Sequence, residues 1–138
     1  MIEKTLDRLM IEEGFSSKPY KDTVGKLTIG FGRNLDDVGL TLEESRFLLK
    51  NDVDKTIKLL REKFDWFNDL SAPRQSVIID MVFNMGYTRF IGFKKMIQFI
   101  IQNDYNNAAS EMLNSKWATQ VKGRAVNLSK MMRSGEYL

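Results

Sequence analysis

Apolar residues at the start of the chain return at helical spacing. Ile2, Leu6, Leu9 and Met10 fall on one side of a helix predicted over residues 2–12. Gly14 is placed to end that helix, because glycine enters the left-handed conformation at little cost. The period then shortens. Residues 18–21 read as a short strand, Asp22-Thr23-Val24-Gly25 as a turn and residues 27–31 as a second strand. Gly30 and Gly32 weaken the second strand and imply close backbone approach, to the partner strand or to a ligand.

From Thr41 onward the pattern is helical. Thr41-Leu42-Glu43-Glu44 fits a capping box, in which the threonine hydroxyl and the glutamate three residues on satisfy each other's end amides. The helix that follows runs to about Glu62, with Phe47, Leu48, Val53, Ile57 and Leu60 on its apolar side. Ser71 caps the next helix, which carries Pro73 in its first turn and continues through Val77, Ile78, Met81, Val82 and Met85 to Gly86. Three more helical segments follow, over 90–102, 104–116 and 123–133. The predicted class is α+β and mostly α-helical: a small N-terminal β-hairpin lobe joined by a long helix to a larger helical lobe. The expected organisation is one domain, 1–138. Its small lobe covers about 14–40, its linking helix 41–62, and its helical lobe 63–138 plus helix 2–12.

Composition narrows the chemistry. The chain has 138 residues, 43% of them hydrophobic, so one packed domain is expected. Its formal charge of +3 is a mild basic bias that suits an anionic polymer. Cysteine and histidine are both absent. Their absence removes disulfides, Ser-His-Asp and Cys-His nucleophile systems and any histidine-based zinc site, and leaves carboxylates as the catalytic groups. No metal or other cofactor is expected. MIEKTLDRLMIEEG alternates charged with apolar residues, so no secretory signal is read there. Nor is there an apolar run of about 18 residues. The expectation is a protein made in the cytoplasm without stable membrane insertion.

The densest chemistry lies between Ile11 and Asn34, where Glu13, Asp22 and Thr28 surround the hairpin. Each has an ordinary reading. Glu13 is a carboxylate near a helix end, though one where negative charge opposes the helix macrodipole and which therefore suits a group working as an acid. Asp22 opens a turn, a structural role for aspartate more often than not. Thr28 is a β-former. Their spacing carries the functional reading. Glycoside hydrolysis needs one carboxyl group to protonate the leaving oxygen and another to hold water on the opposite face of the sugar.

The segment resembles the catalytic signature of the phage-type lysozymes: a Glu, eight residues, an Asp or Cys, five residues, then Thr. Glu13, Asp22 and Thr28 match it without a gap, and NDVD (51–54), DMVFNMGYTRFIGF (80–93) and NSKWATQVKGRA (114–125) extend the likeness. The resemblance implies a lysozyme-like fold and a muramidase that cleaves the β-1,4 bond between N-acetylmuramic acid and N-acetylglucosamine in peptidoglycan during host lysis. It implies Glu13 as general acid, Asp22 as the carboxylate orienting water and Thr28 as its helper. It also implies inversion at the anomeric carbon, for which the carboxyls must stand about 6.5–9.5 Å apart. By the same resemblance, Asn34, Phe83, Asn84, Trp117 and Gln120 are substrate-binding candidates. Core packing is the competing reading for Phe83 and Trp117, as is backbone satisfaction for Asn84 and Gln120. The implied partners are peptidoglycan strands and, for passage to the wall, a holin. The chain is expected to be a monomer without nucleic-acid affinity.

Two departures from the family pattern stand out. The residue after Gly32 is Arg33 where the family has His, and an arginine does not titrate near neutral pH. The connection from Asn34 to Leu40 is short, so a trimmed small lobe lacking a strand and a short helix is expected. The basic run Lys116, Lys122, Arg124, Lys130 and Arg133 reads as a solvated face or as an attractor for anionic wall polymer. Three functions compete with hydrolysis, one of them a small helical nucleic-acid binder suggested only by the net charge. A lytic transglycosylase needs the acid but neither Asp22 nor Thr28, and a silent wall-binding module needs none of the three.

Overall fold

The computed structural model describes residues Met1–Leu138 and divides into two compact units, Met1–Leu49 and Lys50–Leu138. The first opens with α1 (Ile2–Glu13), followed by β1 (Ser16–Lys21), β2 (Leu27–Gly30) and β3 (Arg33–Asn34). These form an antiparallel sheet in the order β1-β2-β3. The long helix α2 (Leu42–Lys63) begins in this unit and continues into the second. The second unit then adds α3 (Asp65–Asn68), α4 (Ala72–Met85), α5 (Tyr87–Phe90), α6 (Lys94–Ile101), α7 (Tyr105–Leu113), α8 (Lys116–Val121) and α9 (Gly123–Ser134). The chain is thus mainly helical with one small sheet, an α+β fold.

The capping box at the start of α2 forms as the sequence requires. The Thr41 amide donates to Glu44 Oε1 at 2.9 Å, and the Glu44 amide donates to Thr41 Oγ1 at 3.1 Å. Along α2 only Leu60 is buried, whereas Phe47 and Leu48 stay exposed. The expected apolar side therefore meets a core only near the helix's C-terminal end. The trimmed small lobe has a third strand after all, reduced to two residues. Residues 35–41 contain no helix. A two-residue strand carries too little periodicity to be read from sequence, which is why it was not expected.

All the buried apolar residues lie between Leu60 and Met132, in the second unit. The centre of this core is the stripe Val77, Ile78, Met81, Val82 and Met85 on α4, against which α9 packs. Helix α7 packs on both α6 and α9. Side-chain caps set the helix starts: Ser71 for α4, Asp104 for α7 and Ser115 for α8. Arg74 closes the C-terminal end of α9 from outside. Its Nε donates to the Met132 carbonyl at 2.7 Å and its Nη2 to that of Arg133 at 3.1 Å, while its guanidinium carbon stands 3.6 Å from the centre of the Tyr105 ring. Arg74→Met keeps the aliphatic stem and removes both donors and the cation. It is expected to cost about 2–4 kcal/mol in denaturant unfolding. A loss below about 0.5 kcal/mol, the range of an ordinary surface change, would mean that the clamp contributes nothing.

Candidate active site

Glu13 is the last residue of α1. Gly14, with φ of 69°, turns the chain out of the helix, and Ser16 pairs with Gly30 at the end of β2. The return from β2 to β3 runs through Gly30 and Gly32, both left-handed at φ of 69° and 78°. Against that return lies the Glu13 carboxyl. A Cβ at position 32 would fall 2.6 Å from Glu13 Oε2 and 3.1 Å from its carboxyl carbon. The close approach read from the glycine pattern is thus an approach by a side chain, and the bare face of Gly32 forms one wall of the Glu13 site. Glu13 itself is exposed and makes no hydrogen bond within the protein. Beside this contact, Phe15 and Phe31 meet with ring centres 5.4 Å apart.

Asp22 performs the turn role and leaves half of its carboxylate over. Oδ1 accepts from the Val24 amide at 3.0 Å and the Lys26 amide at 2.8 Å, which fixes the side chain on the hairpin turn. Oδ2 has no partner in the protein. Thr28 occupies the central strand between Tyr20 on β1 and Asn34 on β3. It is 4% exposed, and its hydroxyl donates to the Lys26 carbonyl at 2.9 Å. Asp22 and Thr28 are therefore tied to the same short stretch of backbone at Lys26. The Asn34 amide is occupied locally: it donates to Asp37 Oδ2 at 3.0 Å and accepts from the Asp37 amide at 2.9 Å.

The other candidates belong to the Lys50–Leu138 unit. Trp117 is 2% exposed, lies edge-on to Phe93 at 6.2 Å, and donates from Nε1 to Asn84 Oδ1 at 2.9 Å. Its indole is buried, and it also lines a surface cavity of about 530 Å³ together with Phe93, Lys95 and Glu111. Phe83, 47% exposed, keeps an open ring face. The Gln120 carbonyl accepts from Arg89 at 3.0 Å, so one end of that amide is engaged. In the basic run, Arg124 is paired with Asp80 through Nη2 at 2.6 Å.

Residues 10–134 match the phage lysozyme family. The chain belongs to that family, and it is a glycoside hydrolase. It is 27% identical to a probable T4-type lysozyme of Dictyostelium discoideum, covering 98% of this chain and 96% of that protein. It is also 27% identical to an endolysin of Acyrthosiphon pisum secondary endosymbiont phage 1, covering 95% of this chain and 89% of the endolysin. A third similarity, 24% identity over 94% of this chain, is to 27% of the pre-baseplate central spike protein of Enterobacteria phage T4.

In this phage lysozyme, sequence reading alone missed what Gly32 and Arg33 do. Arg33 Nη1 donates to the Gly39 carbonyl at 3.2 Å and to Glu44 Oε1 at 3.1 Å, and Nη2 donates to Glu44 Oε2. The Thr41 amide first, and then Arg33, hold the Glu44 carboxyl below its ordinary pKa. The capping box identified Glu44 as a cap, but a partner eleven residues upstream leaves no local pattern. Gly32→Ala puts a methyl group where the Glu13 carboxyl lies, in a backbone conformation that alanine resists. It should therefore displace the Glu13 carboxyl by about 1 Å and lower hydrolase activity at least about a hundredfold. Undiminished activity in the alanine variant would show that Glu13 takes no part in the reaction from this wall.

Proposed function

We propose that this lysozyme is a peptidoglycan N-acetylmuramidase. It cleaves the β-1,4 bond from N-acetylmuramic acid to N-acetylglucosamine by a single inverting displacement and serves bacterial host lysis. The observation that carries the reading is a division of labour between two carboxyl groups. Glu13 has no hydrogen-bond partner and is open to a glycan, whereas Asp22 is anchored through one oxygen and presents the other. Glu13 gives its proton to the leaving glycosidic oxygen as the bond to the anomeric carbon breaks. Water attacks that carbon from the opposite face and passes a proton to Asp22 Oδ2, with the Thr28 oxygen accepting the water's second hydrogen bond. Proton exchange with solvent then restores both carboxyls.

The substrate reading is supported by the relatives' names and by the net positive charge, which favours an anionic wall polymer. The enzyme acts as a monomer, and a holin gives it access to the wall from the host cytoplasm. Purified peptidoglycan tests the chemistry. The expected products are new reducing ends whose first-formed anomer is α. A β anomer would replace inversion by a covalent intermediate, and 1,6-anhydro ends would make the protein a lytic transglycosylase. Binding without any product would leave a wall-binding module.

A further inference from the structure

Resting on the reading of Glu13 as the acid, we infer that Arg33 is a positioning residue for it, acting through the backbone of Gly32. Gly32 bears directly on the Glu13 carboxyl, so the place of that acid depends on what holds the Gly30–Gly32 return still. The return itself makes no backbone hydrogen bond outside the sheet. It contains two left-handed glycines and ends in an edge strand of two residues, paired through Thr28↔Asn34 and Ile29↔Arg33 and prolonged by the Leu35 amide, which donates to the Leu27 carbonyl at 2.7 Å. A strand this short contributes little by itself.

The Arg33 side chain adds a restraint from outside the sheet. Its guanidinium spans the Gly39 carbonyl and both oxygens of Glu44, so it ties β3 to the capped first turn of α2. Glu44 is held in turn by the Thr41 amide, and Thr41 by the Glu44 amide. The restraint therefore runs from a helix N-terminus through Glu44 and Arg33 to Gly32 and Glu13. A planar fork that makes two parallel bonds to a carboxylate fixes orientation as well as distance, which an ammonium cannot do. The lowered Glu44 pKa gives the sign of the pH effect. A carboxyl whose folded pKa lies below its unfolded value stabilises the fold above the unfolded value, and that stabilisation disappears as pH falls through the folded one. The tether is thus complete at neutral pH and loosens in acid.

Steady-state kinetics on soluble peptidoglycan fragments test this with Arg33→Gln, Arg33→Lys and Glu44→Gln, at a temperature well below each variant's Tm. Arg33→Gln should lower kcat about tenfold with KM changed by less than about twofold, as expected for a misplaced acid. Arg33→Lys should fall between wild type and Arg33→Gln. Glu44→Gln should match Arg33→Gln, and the double variant should be no worse than either single one, because all interrupt one chain of contacts. Unchanged kcat in folded Arg33→Gln and Arg33→Lys, with only Tm reduced, would overturn the inference and leave the pair as a stability element. If Arg33→Gln does not fold, Arg33→Lys and Glu44→Gln decide by the same split. Activity in Glu13→Gln would instead remove the reading of Glu13, a result separable from both.

Discussion

Glu13→Gln is expected to abolish lysis, reducing kcat on peptidoglycan by at least about 10³-fold while leaving the unfolding midpoint nearly unchanged. The two halves of this expectation have separate physical grounds. Glutamine cannot deliver a proton to the glycosidic oxygen, and nothing else on the Gly30–Gly32 wall offers one. Stability should be indifferent because the side chain is exposed and makes no hydrogen bond within the protein. Glutamine is also nearly isosteric, so the contact with the bare face of Gly32 persists. Turbidity clearance by permeabilised Gram-negative cells, alongside thermal unfolding, measures both. An active, folded Glu13→Gln variant would move the acid elsewhere and undo the assignment of every other residue in the site.

The parts of this site that could be read from sequence are those written in local spacing. The stop at Gly14, the turn at Asp22 and the capping box at Thr41 each depend on residues within four positions of one another, and each formed as expected. The stripe on α4 was equally legible, because a period of 3.6 repeats over fourteen residues is hard to mistake. What escaped was long-range or too short. Arg33 meets Glu44 across eleven residues, and β3 has only two residues with which to show alternation. The short helices α3 and α5, four residues each, fall below the length at which periodicity is visible.

Trp117 shows a different limit. Its match to a family motif made it a sugar-contact candidate with core packing as the competing reading, and its 2% exposure, its bond to Asn84 and its place in a cavity lining combine features of both. A motif fixes which residues recur together and does not say which of them packs and which meets a ligand. Gly32 makes the complementary point. The glycine pattern pointed to a partner strand or a ligand as its neighbour, and the fold places the Glu13 side chain there.

Asp22 allows its turn role and its chemical role to be separated by experiment. Asp22→Asn retains a carbonyl oxygen able to accept from the Val24 and Lys26 amides, so the hairpin should survive. It replaces the free carboxylate oxygen by an amide nitrogen, which cannot take a proton from water. The expected result is a loss of about 10²–10⁴-fold in kcat at nearly native stability. Asp22→Ala removes the acceptor as well, and should add about 1–2 kcal/mol of destabilisation to a similar loss of activity. Asp22→Cys, the residue that some members of the family pattern carry here, should retain partial activity. If Asp22→Asn lyses walls like the wild type while Asp22→Ala does not, the carboxylate does no more than fold the turn. Inversion by an Asp22-held water would then fail, although Glu13 could still be the acid of a transglycosylase.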